Sequence, residues 1–367
     1  MKILFIAPIP PPIHGQSKAS KVLLDALSFH KHEINLINLS KNSLKNGFSS
    51  FDRIFVIVKV LINVWKKRNN NDLIYLSLAE SFLGNIRDLL IYTICYKSKH
   101  KIFTHMLGGA GMKKILHGKG IQNFLNCFFI NKIGGVIVEG PENFKLFSEI
   151  ISPEKVHVVP NSAEDFLFLT DDEITEKFLN VDAVNILYLS NLIPGKGYDE
   201  LADAYIALNE NFKNQINITY VGGFESLKAE NQFIKKIENH SGLSYLGKFI
   251  DGEMKKNLYR KAHIFCLPTY YPFEGQPISI LEAYATGCVV ITSNHSGIPF
   301  IFKDEKNGFM VDKKSISSIK MAIEKALTYK TSLKNIGLNN KNEALEKYRE
   351  SIYQNAILHI FDEFISG

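Results

Sequence analysis

The sequence predicts an α/β protein built from two doubly wound, mainly parallel domains. Three observations carry that expectation. Short apolar runs alternate with longer amphipathic ones along the chain. The alternation breaks in a polar stretch near residues 161–182 and then begins again. A length of 367 residues exceeds one small core and suits two domains of about 150–180 residues each. Short hydrophobic strands set between helices are the pattern of a parallel sheet covered on both faces.

In the first half, strands are expected at Lys2–Ala7, Glu33–Leu39, Asp72–Leu76, Lys101–Thr104, Gly135–Val138 and Val156–Val159. Helices are expected between them. Gln16–Phe29 carries Val22, Leu23, Ala26 and Leu27 on one side, and Ile54–Arg68, Leu83–Lys97 and Ile121–Ile130 follow. After Pro160 the segment NSAEDFLFLTDDEITEKFLN reads as a polar linker. The second half then places strands at Asn185–Leu189, Ile216–Val221, Ser244–Leu246, Ile264–Leu267, Val289–Thr292 and Gly308–Val311. Its helices are Gly197–Asn209, Glu230–Glu238, Gly252–Lys261 and Pro277–Ala285, and Tyr348–Phe364 ends the chain as a packing helix. Two open sheets in series predict a cleft, with ligands gathered at the C-terminal ends of the strands.

Composition narrows the class. The chain is 46% hydrophobic and 22% charged, which excludes a disordered protein. Cys95, Cys127, Cys266 and Cys288 lie far apart in apolar runs, so they read as buried thiols of a reducing compartment. The opening MKILFIAPIPPP has one lysine, a very short apolar run and four prolines, which suits a core strand better than a signal peptide. No stretch reaches 18 uncharged apolar residues, so no spanning helix is expected, and the protein is expected in the cytoplasm.

The charge is uneven. Residues 1–165 carry 21 Lys/Arg against 12 Asp/Glu, a basic half suited to an anionic partner. No nucleic-acid motif or arginine-rich helix accompanies it, so nucleic acid is not expected. Ile54–Arg68 is strongly apolar and ends in a basic cluster beside Trp65. Two readings stand for it: a helix resting on an anionic membrane surface, or a buried α/β helix whose lysines suit its C-terminal dipole.

Candidate chemistry sits at strand exits. The first strand runs into APIPPPIHGQSKA, where Gly15 permits a tight approach to the next helix and amides at its start are placed for a phosphate or sugar oxygen. It is neither GxGxxG nor GxxxxGK[ST]. His14 either shapes this loop or flanks it. In YYPFEGQPISILEAYATG, Glu274 precedes a helix that Pro277 opens, and Glu282 lies within it. Eight positions correspond to roughly 80° of offset and about 12 Å along the axis. The two carboxylates are therefore not a close acid–base pair, but they can touch the two ends of one extended ligand.

This arrangement resembles the Glu-x7-Glu motif of retaining glycosyltransferases of family 4, the glycosyl transferases group 1 with the GT-B fold. Other landmarks follow in the family's order: the loop Pro10–Ser17, His105 before Gly108 and Gly109, Val159-Pro160-Asn161, Ser190-Asn191-Leu192-Ile193-Pro194-Gly195-Lys196-Gly197, Val221-Gly222-Gly223, Gly247, and Ser296-Gly297-Ile298-Pro299. The resemblance covers about residues 1–315. It implies two Rossmann-like domains facing across a cleft: an acceptor-side domain over 1–165, a nucleotide-sugar domain over 166–345, and a helix over 346–367 returning to the first.

The resemblance also implies roles. Glu274 and His105 contact the donor sugar at the reaction centre, and Lys196 pairs with the diphosphate as the glycosidic bond breaks. Glu282 binds the ribose hydroxyls, while Gly15, Asn191, Gly297 and Ile298 line the donor site. Asn191 stands where the family has arginine, and an asparagine brings neither charge nor a bidentate fork. The absence of Asp-x-Asp in a suitable loop agrees with a metal-free transfer, with no cofactor beyond the nucleotide diphosphate sugar donor. The expected acceptor is a glycan or lipid-linked glycan in surface polysaccharide assembly, with possible peripheral contact at the inner membrane face. Tyr270 and Tyr271 are read as packing aromatics or sugar-stacking rings, and Lys113, Lys114, His117 and Lys119 as a basic rim on the acceptor side. Other readings are a GT-B epimerase or hydrolase, and a non-catalytic sugar-nucleotide binder suggested by Asn191. A nicotinamide-dependent oxidoreductase lacks its GxGxxG.

Overall fold

The computed structural model describes residues 1–40, 50–179, 181–248 and 250–367. In chain order the first elements are β1 (Lys2–Ala7), α1 (Gly15–Phe29), β2 (Glu33–Asn38), α2 (Ser50–Lys67), β3 (Leu73–Ser77), α3 (Phe82–Ile94), β4 (Ile102–Met106), α4 (Ala110–Leu116), α5 (Ile121–Ile130), β5 (Gly135–Val138), α6 (Pro141–Ser148) and β6 (Val156–Val158). There follow α7 (Asp171–Lys177), β7 (Val184–Leu189), α8 (Tyr198–Ile206), α9 (Glu210–Lys213), β8 (Ile216–Val221), α10 (Leu227–Ile237), β9 (Leu243–Tyr245), α11 (Gly252–Lys261) and β10 (Ile264–Leu267). The chain ends with α12 (Ile278–Ala285), β11 (Val289–Ser293), α13 (Ile298–Ile301), β12 (Gly308–Val311), α14 (Ile316–Thr328), α15 (Lys330–Lys347) and α16 (Glu350–Ser366).

The chain forms two compact units, one of residues 1–161 with 351–367 and one of residues 162–350. Each holds one parallel sheet, and together they are the two doubly wound domains of the GT-B fold. In the first unit the strand order is β2-β1-β3-β4-β5-β6. Alternate side chains of β1 point to opposite faces. Leu4 and Ile6 join a core with Val60 and Val64 of α2, Leu89 of α3 and Phe129 of α5. Ile3 and Phe5 join another with Leu23 and Leu27 of α1 and Ile357 and Phe361 of α16. The sheet is therefore covered on both sides.

The second sheet runs β12-β11-β10-β7-β8-β9. Its strands are near-continuous apolar runs because both faces are buried. On its flanks α8 packs with α14, α12 with α15, and α7 with both α15 and α11.

Local differences from the sequence reading have local causes. The polar stretch after Pro160 is not a free linker. Thr170 and Glu173 form a reciprocal capping box that starts α7, and Ile174 is buried beneath it. Lys177 at its end is half-buried, donating to the carbonyls of Tyr259 and Thr286 at 3.0 and 2.6 Å. Helix α3 stops at Ile94, and residues 96–101 form a tight 3₁₀ turn. Strand β4 runs on to Met106, which places His105 inside the strand, in register with Ser77 and Ile137.

Candidate functional site

In the second sheet, chain order reverses between β7 and β10, which are neighbours. Ligands of open parallel sheets enter where the strand order switches in this way. The loops leaving these two strands are tied together. Tyr270 N–H donates to the Gly195 carbonyl at 2.7 Å, and Thr269 Oγ1 lies 3.3 Å from the same oxygen. Gly195 and Gly197 both hold positive φ, at 92° and 78°. A Cβ on Gly197 would lie 2.4 Å from the Pro268 carbonyl oxygen, so the close approach requires glycine.

That approach brings Lys196 to Glu274. The ammonium donates to both carboxylate oxygens, at 3.0 and 2.7 Å, and sits 5.1 Å from the Tyr271 ring centre. The Thr269 hydroxyl donates to Glu274 Oε2 at 2.8 Å. Both side chains are largely buried, with 12% of Lys196 and 8% of Glu274 exposed. The loop after β11 supports it from behind. His295 Nε2 meets the Tyr271 carbonyl at 2.8 Å, and the Ser296 hydroxyl donates to the Glu274 carbonyl. Gly297 packs so closely that a Cβ there would lie 2.9 Å from the Gly275 carbonyl, and Ile298 is buried at the start of α13. Asn191 is exposed, in the same loop as Lys196.

Glu282 occupies a separate pocket on α12, with 2% exposure. Its oxygens accept from Lys255 Nζ and from the Tyr259 hydroxyl, each at 3.0 Å. Lys255 is wholly buried and also pairs with Glu164. Burial, reinforced by the Glu282 charge, holds the Tyr259 phenol well above its ordinary pKa, so it stays a donor. Glu274 and Glu282 are thus each held by a different lysine and do not pair. Lys255, Tyr259, Glu164, Thr269 and His295 are neighbours that sequence reasoning missed. Lys255 and Tyr259 sit i and i+4 on α11, a spacing shared by many unrelated pairs, so no sequence signal singled them out. Tyr270 donates to Glu200 at 2.5 Å.

In the first unit, strand order reverses between β1 and β3. Gln16 Nε2 bridges there to Ser77 Oγ and the Leu78 carbonyl, at 2.8 and 2.9 Å. Gly15 is exposed at the start of α1, and His14 is its N-cap. His14 Nδ1 accepts from the Ser17 amide at 3.2 Å, so that amide is engaged within the helix rather than open to a ligand. Gly108 and Gly109 fit against Glu80 and Asn143, where any Cβ would clash. Glu80 accepts from the Gly111 amide at 2.8 Å, and burial raises its pKa. Lys113, Lys114, His117 and Lys119 are exposed on this unit.

His105 lies inside β4 rather than in the loop after it. It is fully buried within β4, with Nδ1 2.8 Å from the Tyr75 hydroxyl and its ring stacked 6.2 Å from Tyr353. Burial lowers its pKa to about 3. Its Nε2 is buried and has no hydrogen-bond partner among the described residues. Among the described residues, no group of three or more His, Cys, Asp or Glu is placed to hold a metal ion.

Residues 170–343, all within the second unit, match the family model described as glycosyl transferases group 1. The chain is 26% identical over 181 residues to an uncharacterized glycosyltransferase of Methanocaldococcus jannaschii, covering 48% of this chain and 44% of that protein. It spans half or less of the length of most curated relatives it matches. A longer match, 23% identical over 334 residues, covers 84% of this chain and 83% of an Escherichia coli UDP-Gal:alpha-D-GlcNAc-diphosphoundecaprenol alpha-1,3-galactosyltransferase. Among solved structures, Anabaena HepE in complex with UDP superposes with a TM-score of 0.71 at 16% identity, covering 99% of this chain and 100% of that one. The chain is a GT-B fold protein homologous to glycosyltransferases that act with nucleotide-linked sugars.

Proposed function

We propose that this protein is a metal-independent, retaining glycosyltransferase of the cytoplasm. It takes a sugar from a uridine or guanosine diphosphate donor and passes it to a glycan or lipid-linked glycan acceptor in surface polysaccharide assembly. The observation that carries this reading is the Lys196–Glu274 pair at the strand-order reversal of the second sheet. A cation and a carboxylate held together there suit a ligand that joins a diphosphate to a sugar. The diphosphoundecaprenol in the name of the Escherichia coli relative supports a lipid-linked acceptor.

Lys196 takes the diphosphate, and Glu274 orients the sugar hydroxyls near the anomeric carbon. Glu282 takes the ribose hydroxyls. Lys255 and Tyr259 are positioning residues: each engages one Glu282 oxygen, which fixes the carboxylate plane before the ribose arrives. The acceptor hydroxyl oxygen attacks the anomeric carbon on the face the phosphate leaves. The bond from that carbon to the phosphate oxygen breaks, and the acceptor proton passes to the departing phosphate, so configuration is retained. Charge grows on the phosphate as the bond opens, and Lys196 stabilises that charge more than it stabilises the ground state. Asn191 brings no charge, so neutralisation rests on Lys196 and backbone amides.

The test is turnover of labelled uridine and guanosine diphosphate sugars, with the anomer of the product read by NMR. Glu274→Gln keeps the side-chain volume and should lower kcat about 10²- to 10³-fold in a protein that keeps the wild-type circular dichroism. Turnover equal to wild type would remove Glu274 from the reaction. A second reading rests on Asn191: a wild-type protein that binds donor but never turns it over would be a sugar-nucleotide binder.

A further inference from the structure

Helix α2 inverts the usual pattern of a surface helix. Val60 and Val64 face the sheet, so the opposite side should be polar. Instead that side presents Phe55, Ile62 and Trp65, which are 71%, 49% and 58% exposed. The apolar stripe does not end with α2. Helices α2, α3 and α5 lie side by side on the same face of the first sheet. On α5, Ile121, Phe124 and Phe128 repeat the outward apolar stripe, with Ile121 78% and Phe124 65% exposed.

Cations frame these rings. The Arg68 guanidinium lies 5.1 Å from the Trp65 ring centre, and the Lys132 ammonium 4.1 Å from that of Phe128. Tyr96 stacks on Phe128 at 6.3 Å and carries Lys99 over its own ring at 4.4 Å. Residues 54–71 and 89–138 contain no acidic side chain, and Asp88 of α3 is buried and paired with Arg87. Residues 54–71 hold Lys59, Lys66, Lys67 and Arg68, and residues 89–138 hold seven lysines. Among the described residues no helix is long and apolar enough to cross a membrane.

We propose that the α2–α3–α5 face of the first unit docks on the surface of an anionic lipid bilayer. Phe55, Ile62, Trp65, Ile121 and Phe124 enter the boundary between headgroups and acyl chains, while the lysines reach the headgroup phosphates. An apolar stripe edged by aromatic rings and long basic side chains matches that boundary, where rings sit at headgroup depth and cations extend outward. A second copy of this chain fits poorly, because pairing the face with itself would oppose the basic side chains that frame the rings, Arg68, Lys99 and Lys132, with their own copies. Docking of this kind needs neither donor nor turnover, so it stands apart from the transfer reading.

Trp65 is the single tryptophan of the chain, which makes its emission a local probe. The full-length protein is mixed with vesicles of phosphatidylcholine alone or with added phosphatidylglycerol. Anionic vesicles should shift Trp65 emission to the blue, and acyl-brominated lipid should quench it. Replacing Lys66 and Lys67 by Gln should weaken partitioning about 25-fold at low salt. Phe124→Ser should also weaken it, whereas Phe29→Ser, on α1 across the sheet, should not. Unchanged emission with anionic vesicles would overturn the proposal, as would equal binding to neutral ones. A dimer in sedimentation that buries Trp65 without lipid would assign the face to self-association and overturn it as well.

Discussion

Two histidines make each unit sensitive to acid, for reasons set by single atoms. His263 accepts from the Asn185 amide through Nδ1 and meets the Lys177 carbonyl oxygen through Nε2, both at 2.9 Å. Only the neutral ring with its proton on Nε2 makes both bonds. Burial pulls its pKa down to about 4, and that of His105 to about 3. An unfolded histidine titrates near 6.5. Below that value the unfolded chain binds protons that the folded chain refuses, so this stability is complete above pH 6.5 and is lost as pH falls towards the folded values. One unit below, at pH 5.5, each ring should cost about 1.4 kcal/mol. Urea unfolding at pH 7.0 and 5.5 should therefore show a clear loss, and His105→Phe should remove one ring's share of it. An identical loss in that variant would discharge His105 from the account. The residue scale also shows where sequence reading runs out. The burial of His105 depends on Tyr353, which lies far along the chain, so no local pattern announces it. Lys196 and Glu274 stood out beside glycines and prolines, yet nothing in their spacing wrote the contact between them. Lys255 could not be told from its half-buried neighbour Lys256, because its partners Glu164 and Glu282 lie on two distant segments.

At the scale of elements, the alternation of strand and helix was legible because both faces of each sheet are buried. Its strands therefore had to be apolar runs, separated by helices long enough to cross over. What escaped was short or polar. Helices α4 and α6 span seven and eight residues, too few to show a helical period. Helix α7 is mostly acidic and hides a single buried isoleucine. The junction between β7 and α8 supplies a prediction of its own. Gly197 caps α8 in the left-handed region, where any other residue is strained by about 1–2 kcal/mol, and its missing Cβ makes room for the Pro268 carbonyl. Gly197→Ala should therefore lower the urea midpoint and displace Lys196, weakening binding of a nucleotide sugar in calorimetry. Gly223 has open space where its Cβ would be, so Gly223→Ala is the matched control and should change neither reading. Equal behaviour of the two variants would show that the Gly197 junction does not hold Lys196 in place.

At the scale of the whole molecule, the chain leaves its first unit after Asn161 and completes it only with residues 351–367. Helix α16 is not an appendage to that unit. Tyr353, Ile357, Ile360 and Phe361 are buried in the same core as Ile3 and Phe5, and the Tyr353 hydroxyl donates to the Ala19 carbonyl at 3.3 Å. At about 1.5–3 kcal/mol for each buried large side chain, these four contribute on the order of 10 kcal/mol. That equals the net stability of a typical domain, about 5–15 kcal/mol. The second unit keeps its entire sheet without them, since β7 to β12 all lie within 162–350. A chain ending at Glu350 should therefore lose one unfolding transition in scanning calorimetry and keep the other. Limited proteolysis should degrade residues 1–161 and leave a resistant core that begins near Ser162. Retention of both transitions at their original temperatures would mean that the first core closes without α16, and the exposed face left on its sheet would then need another cover.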